Sequence, residues 1–181
     1  RNGLHADFSP KPLDRKPGSG FHINISVNGG DGIAAQRMMG GILNRIKDMT
    51  LFLNPTEESY HRLGENKAPK YISWSSENRS QLVRVPAAVG EYKRAELRSP
   101  DPAANTYLAF ALMIYASLYG IQNKLELQDP ADINLYKADA DTLAKFEQLP
   151  ENLKSACALA NNSDFIKEHI PGAILEIYCN K

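Results

Sequence analysis

The chain has 181 residues, in which 21 lysines and arginines balance 21 aspartates and glutamates. That balance excludes the broad basic footprint of a nucleic-acid binder, and no apolar run approaches the ~20 residues needed to span a bilayer. The length suits one domain with a sizeable core, and two cysteines, Cys157 and Cys179, point to a reduced, cytoplasmic protein that needs no disulfide.

Residues 1–20 open with Arg1 and are rich in Pro, Lys, Asp and Gly, ending in Pro17-Gly18-Ser19-Gly20. They read as the interior of a longer protein and as a loop able to approach a ligand closely. In Phe21 to Val27, residues Phe21, Ile23, Ile25 and Val27 alternate with His22, Asn24 and Ser26, the period of a half-buried strand. Asn28 to Gly32 is turn chemistry, and Met38, Ile42, Ile46 and Met49 carry helical spacing over Ile33 to about Leu53, which Gly40 and Gly41 weaken at its middle. A polar connector then runs from Asn54 to Pro69, ahead of a strand-like Tyr71 to Ser75.

Two arginine-bearing segments follow. Arg84 lies between Val83 and Val85, closed by Pro86, with Arg79 just ahead in a polar turn. In the second, Lys93, Ala95 and Leu97 alternate with Arg94, Glu96 and Arg98, so a strand sends those last three to one face. Two cations flanking an acid are costly to desolvate as mere packing and suit phosphates, carboxylates and a divalent metal. A solvated ladder of cross-strand pairs is the competing reading, as a structural histidine is for His22 taken alone.

The segment Ala103 to Tyr119 is apolar around much of its circumference and stops at Gly120, which predicts a buried helix with Phe110, Met113 and Tyr115 in the core. Further helices are expected near Asp139 to Leu149, Glu151 to Ala160 and Asp164 to His169. Strands in the first half and helices in the second predict an α+β fold, a curved antiparallel sheet packed by helices. His5, His61 and His169 have no spacing that suggests a metal site, and Glu91 and Lys93 read as exposed.

The phrases PGSGFHINIS, LNPTEESYHRL, SWSSENRSQLVRVP and YKRAELRSPDPAANTYLAFALMIYASLYGI stand in the order of characteristic segments of glutamine synthetase. The chain resembles the C-terminal part of that family's catalytic domain, with the similarity running to about Gly120 and thinning beyond. The resemblance implies a partial catalytic barrel over residues 1–181, lacking the N-terminal domain and the early catalytic strands that carry the other metal-binding carboxylates. It implies His22 and Glu96 as ligands of Mg²⁺ or Mn²⁺. Arg79, Arg84 and Arg94 match arginines that contact nucleotide phosphates and the transferring phosphoryl group, and Asn24 joins them as a nucleotide-binding position. Arg62 and Arg98 match arginines holding the substrate glutamate's carboxylates, with Gly18 in the loop beside them. The implied activity is ATP-dependent ligation of ammonia to glutamate through an acyl phosphate, by a parent that assembles into homo-oligomeric rings; this fragment alone is expected to be inactive.

Two positions depart from the family. Lys67 precedes Ala68-Pro69 where many members carry a glutamate, in a connector that is one residue shorter, which leaves Glu65 as a possible stand-in. Asn24 replaces a second histidine and loses its titration near neutral pH. Lys67 keeps open a ligase with a polyamine-type acceptor, and a non-catalytic scaffold is the alternative from another class. Tyr136 resembles the tyrosine that some bacterial relatives adenylylate.

Overall fold

A computed structural model describes residues 2–28, 32–86 and 94–180 of the chain. Residues 29–31 of the turn expected at Asn28 to Gly32, and the positions Glu91 and Lys93, lie outside these residues. The elements are β1 (Ile23–Ile25), α1 (Ile33–Leu53), α2 (Glu57–Arg62), β2 (Trp74–Ser75), β3 (Val83–Arg84), β4 (Ala95–Leu97), α3 (Thr106–Gln122), α4 (Ala140–Leu143), α5 (Leu153–Asn162), α6 (Asp164–His169) and α7 (Gly172–Cys179). The architecture is α+β, with an open four-stranded sheet packed by helices.

The sheet order is β1-β4-β3-β2, antiparallel for β1/β4 and β3/β4 but parallel for β2/β3. The expected antiparallel sheet therefore has one parallel edge. In residues 76–82, which join these two strands, Gln81 Nε2 donates to the carbonyls of Ala131 and Ile133 at 2.6 and 2.7 Å. Register assigns the two faces. Ile23, Leu97 and Val83 stand abreast and are buried, whereas Asn24, Glu96 and Arg84 stand abreast on the opposite face. Strand alternation thus separates the core from a polar surface, as the spacing predicts.

Behind the apolar face lies α1, whose Met38, Ile42, Ile46 and Met49 are buried with Leu82, Val83 and Leu97 in one cluster. Gly41 and Gly120 correct two expectations at once. The first does not weaken α1 and the second does not end α3, which continues to Gln122. A Cβ on Gly41 would collide with the Ala116 carbonyl oxygen and stand 2.7 Å from the Gly120 backbone. The two helices therefore meet backbone to backbone, and only glycine permits that approach.

α3 is less buried than its composition predicts. Ala109, Leu112, Met113 and Ala116 face α1, but Phe110 and Tyr115 are 46 and 41% exposed, so only Met113 of the expected trio lies in the core. A helix apolar on all sides carries no information about which side its neighbours cover. The polar connector hides a helix as well: α2 begins with a capping box in which Thr56 and Ser59 exchange side-chain-to-backbone hydrogen bonds. The expected helix near Asp139 shrinks to α4, Tyr71 forms only an isolated bridge to Gln148, and α7 is an element the spacing did not suggest.

Cys157 and Cys179 form a disulfide between α5 and α7, correcting the expectation of reduced cysteines. The pairing is a tertiary effect. α7 folds back so that Tyr178 reaches the Phe52 ring, 4.8 Å between centroids, and this brings Cys179 to α5.

Gly41→Ala is expected to destabilise the protein by about 1–3 kcal/mol or more through overpacking of the α1/α3 contact, read as a lower denaturation midpoint with unchanged slope.

Candidate active site

The polar sheet face is organised around one carboxylate. Glu96 sits at the middle of β4 and its side chain is only 8% exposed, so its charge requires partners inside the protein. Three converge on it. Arg84, its neighbour across the β3/β4 ladder, donates from Nε at 2.8 Å and Nη2 at 2.6 Å to Oε2. Arg98, two residues along the same strand face, reaches Oε1 from Nη1 at 3.3 Å. His22, one residue before β1, places Nδ1 2.9 Å from the same oxygen.

Burial is the main influence on His22 and lowers its pKa below the ordinary histidine value, with the Arg98 charge adding to it and Glu96 opposing. The neutral ring donates Nδ1–H to the carboxylate and keeps the Nε2 lone pair for a ligand.

Arg62 projects from the last turn of α2 and is 3% exposed. Its Nη1 donates to the Ser99 carbonyl at 2.6 Å and Nη2 to that of Arg98 at 3.4 Å. That carbonyl of Ser99 is itself fixed from the end of α1, because Asn54 Nδ2 donates to it at 2.9 Å and to the Asp101 carboxylate at 2.8 Å. Asp101 is fully buried, which raises its pKa, while its hydrogen bonds with Asn54 and Ser59 oppose the shift. It is a structural acid that residue spacing did not single out.

The N-terminal loop closes the site from the other side. A Cβ on Gly18 would collide with the Pro10 carbonyl oxygen and stand 3.0 Å from the Arg62 side chain, so glycine lets this loop lie against the guanidinium. Together these groups line a cleft of about 410 Å³ that contains Gly18, His22, Arg62, Lys67, Arg79, Arg84, Glu96 and Arg98. Five cations there face one carboxylate. Among the described residues no group of three or more His, Cys, Asp or Glu side chains could hold a metal by itself.

Of the nine candidate residues, the fold brings seven to this cleft. Arg94 and Asn24 lie on the same sheet face but outside it, exposed, with Arg94 Nε donating to Asn24 Oδ1 at 2.9 Å. Glu65 turns away: it is paired with Lys11 at 3.1 Å, its side chain is 61% exposed, and it does not line the cleft. Lys67 does line it, from a loop in which Gly64, Asn66 and Lys67 all have left-handed φ, 87°, 45° and 75°. Such backbone costs a non-glycine residue about 1–2 kcal/mol. Tyr136 flanks this loop, and burial pushes its pKa up to about 12 while the Arg98 and Arg62 charges oppose that.

The sequence profile described as "Glutamine synthetase, catalytic domain" matches residues 1–181. This chain belongs to the glutamine synthetase family. It is 40% identical to the glutamine synthetase of Methanosarcina mazei over 97% of the chain and 43% of that protein, and 39% identical to that of Thermotoga maritima over 97% and 44%. The fold agrees: a solved structure described as "GmaS/ADP complex-Conformation 1" superposes with a TM-score of 0.83 at 30% identity, covering 96% of this chain and 44% of that one. The match extends past Gly120, the point to which the quoted motifs reach, and covers the helical half as well. The chain spans less than half the length of the glutamine synthetases it matches.

The donor set of the cleft fits a hard divalent cation. His22 offers the Nε2 lone pair and Glu96 a carboxylate, the two side chains being joined by the 2.9 Å hydrogen bond from Nδ1; imidazole and carboxylate are both ordinary ligands of such ions. Two protein ligands complemented by substrate phosphates is an ordinary arrangement for Mg²⁺.

Glu96→Gln is expected to lower stability by about 1–3 kcal/mol, because Arg84 and Arg98 lose the charge that compensates them; an unchanged denaturation midpoint would count against the central role of this acid. A pH effect follows from His22. The unfolded chain takes up this proton at higher pH than the folded one, so the contribution is complete above the ordinary histidine value near 6.5 and is lost as pH falls below it. Denaturant titrations at descending pH should show His22→Gln with a flatter loss than the unsubstituted protein.

Proposed function

We propose that the full-length parent of this chain is a glutamate–ammonia ligase that forms glutamine at the expense of ATP. The observation that carries the reading is the convergence of His22, Arg84 and Arg98 on Glu96 in a cleft lined by five cations, within a chain of the glutamine synthetase family. A scaffold has no need for that concentration of charge. A polyamine acceptor is disfavoured by the same cations, since among the described residues the one carboxylate lining the cleft already has three partners.

The chemistry needs neutralisation more than it needs a nucleophile. Glutamate's side-chain carboxylate oxygen attacks the γ-phosphorus of ATP, and the bond to the departing ADP breaks. Ammonia then attacks the acyl carbon, phosphate leaves with the bonding electrons, and a proton is lost to give the amide. Both steps place negative charge on phosphoryl and carboxyl oxygens, where fixed guanidinium groups lower the barrier by being oriented beforehand.

Arg79 and Arg84 are assigned to the nucleotide phosphates and the transferring phosphoryl group, with Arg94 and its partner Asn24 toward the nucleotide. Arg62 and Arg98 are assigned to the carboxylates of glutamate, beside the Gly18 loop. Arg62 suits a positioning role, since two backbone carbonyls already hold it still. His22 and Glu96 would hold Mg²⁺ or Mn²⁺, which when bound supplies further neutralisation of the phosphates. The ADP of the GmaS complex supports a nucleotide in this fold.

The parent is proposed to form homo-oligomeric rings and to reside in the cytoplasm. That location rests on the family alone, because the paired Cys157 and Cys179 remove the argument from reduced cysteines. No helix among the described residues is long and apolar enough to cross a membrane.

With Mg²⁺ present, the full-length parent should convert glutamate, ammonia and ATP to glutamine, ADP and phosphate, whereas the 181-residue chain alone should not, because among the described residues no cluster of three or more metal-ligating side chains accompanies Glu96. A coupled ADP assay with mass-spectrometric detection of glutamine checks both. A parent silent with every donor and acceptor would sink the reading.

A further inference from the structure

We propose that Lys67 is a ligand-binding residue of the cleft that recognises an oxyanion of the substrate, a carboxylate or a terminal phosphate, from a loop locked in position by Arg98. This assignment deepens the ligase reading and rests on it.

The loop from Gly64 to Ala68 is built for one conformation. The Gly64 amide donates to the Ala68 carbonyl at 2.7 Å and the Ala68 amide to the Glu65 carbonyl at 2.9 Å, which closes the loop on itself. Between these bonds Asn66 and Lys67 both carry positive φ, a conformation that side chains other than those of Asn and Asp seldom adopt. Local strain of this kind persists only where surrounding contacts over-determine it. Those contacts are present on both sides. On the outer side, Lys11 Nζ pairs with Glu65 at 3.1 Å and also donates to the Lys16 carbonyl at 3.0 Å, tying the loop to the N-terminal segment. On the inner side, Arg98 Nη2 donates to the Lys67 carbonyl at 3.3 Å, while Nη1 of the same guanidinium holds Glu96.

The consequence is that Glu65 is turned outward and Lys67 is delivered to the cleft. Among the described residues, the charges that line the same cleft are Arg62, Arg79, Arg84 and Arg98 as cations and Glu96 as the carboxylate. Glu96 already accepts from His22, Arg84 and Arg98, and Lys67 forms no ion pair with any described residue. Lys67 is exposed at the lining and adds a fifth cation to it, so in the free protein water solvates the ammonium, and an anion entering the cleft meets a charge with no acid already bound to it. A lysine, with a compact charge on a flexible stem, suits the mouth of a cleft where the ligand arrives.

The test uses the full-length parent and isothermal titration with ADP and with glutamate as separate probes. Lys67→Asn removes the charge but tolerates left-handed backbone, Lys67→Gly removes it and relaxes the backbone, and Lys67→Arg keeps the charge. Lys11→Met, which releases only the outer tie, serves as a folding and loop control. Both neutral variants are expected to weaken one probe by about tenfold or more, with Lys67→Arg recovering most of the loss. A loss confined to ADP assigns the phosphate, and one confined to glutamate assigns the carboxylate. If the unsubstituted parent binds both probes and Lys67→Asn and Lys67→Gly bind them within about twofold of it, the assignment of Lys67 is wrong and the ligase reading stands. A parent that binds neither probe overturns the ligase reading and, with it, this assignment.

Discussion

Concentrated positive charge can be held inside a folded chain only if something compensates it, and in this protein the compensation is Glu96. Its two oxygens accept from Arg84, Arg98 and His22, groups delivered by three different strands or strand margins. The acid itself is nearly buried, so the cluster is mutually dependent: each guanidinium needs the carboxylate, and the carboxylate would be costly without them. Beyond those partners, Arg62, Lys67 and Arg79 also line the cleft. The cleft therefore carries a surplus of positive charge after the fold has satisfied its own buried acid.

That arrangement depends on a rigid support. The apolar face of the sheet rests on α1, and α1 in turn is set by its close approach to α3 at Gly41 and Gly120. From the C-terminal end of α1, Asn54 reaches Ser99 and Asp101, and through the Ser99 carbonyl it fixes Arg62. Packing in the core is thus transmitted to the cleft by a short sequence of buried hydrogen bonds. Buried polar networks of this type earn specificity of position by having every available geometry but one leave a polar group unpaired.

Much of this was legible in the residues. The alternation of Phe21 to Val27 correctly separated His22 and Asn24 from the core, and the spacing from Ile33 to Leu53 located α1 with its bounds. The placement of Glu96 between Arg94 and Arg98 correctly put an acid among cations on one strand face. What was not legible has a common origin. Arg94 and Arg98 are equivalent by alternation, yet only Arg98 reaches the cleft, because the register with β1 turns Arg94 toward Asn24. Glu65 and Lys67 are two residues apart in a polar connector, and only the left-handed backbone between them decides which faces inward. The disulfide needed two cysteines 22 residues apart to be brought together by helix packing.

Local periodicity depends on the chemistry of adjacent residues, and so the amino-acid sequence by itself determined which segments become strands and helices, which strand faces are polar, and, through its ordered motifs, the family to which the chain belongs. Tertiary structure alone decided which polar groups meet. It selected Arg98 over Arg94 and Lys67 over Glu65, made glycines into a helix contact instead of breaks, and exposed half of α3. The reason is that these outcomes depend on distances between residues far apart along the chain, which are set by packing and long-range hydrogen bonds and carry no periodic signature.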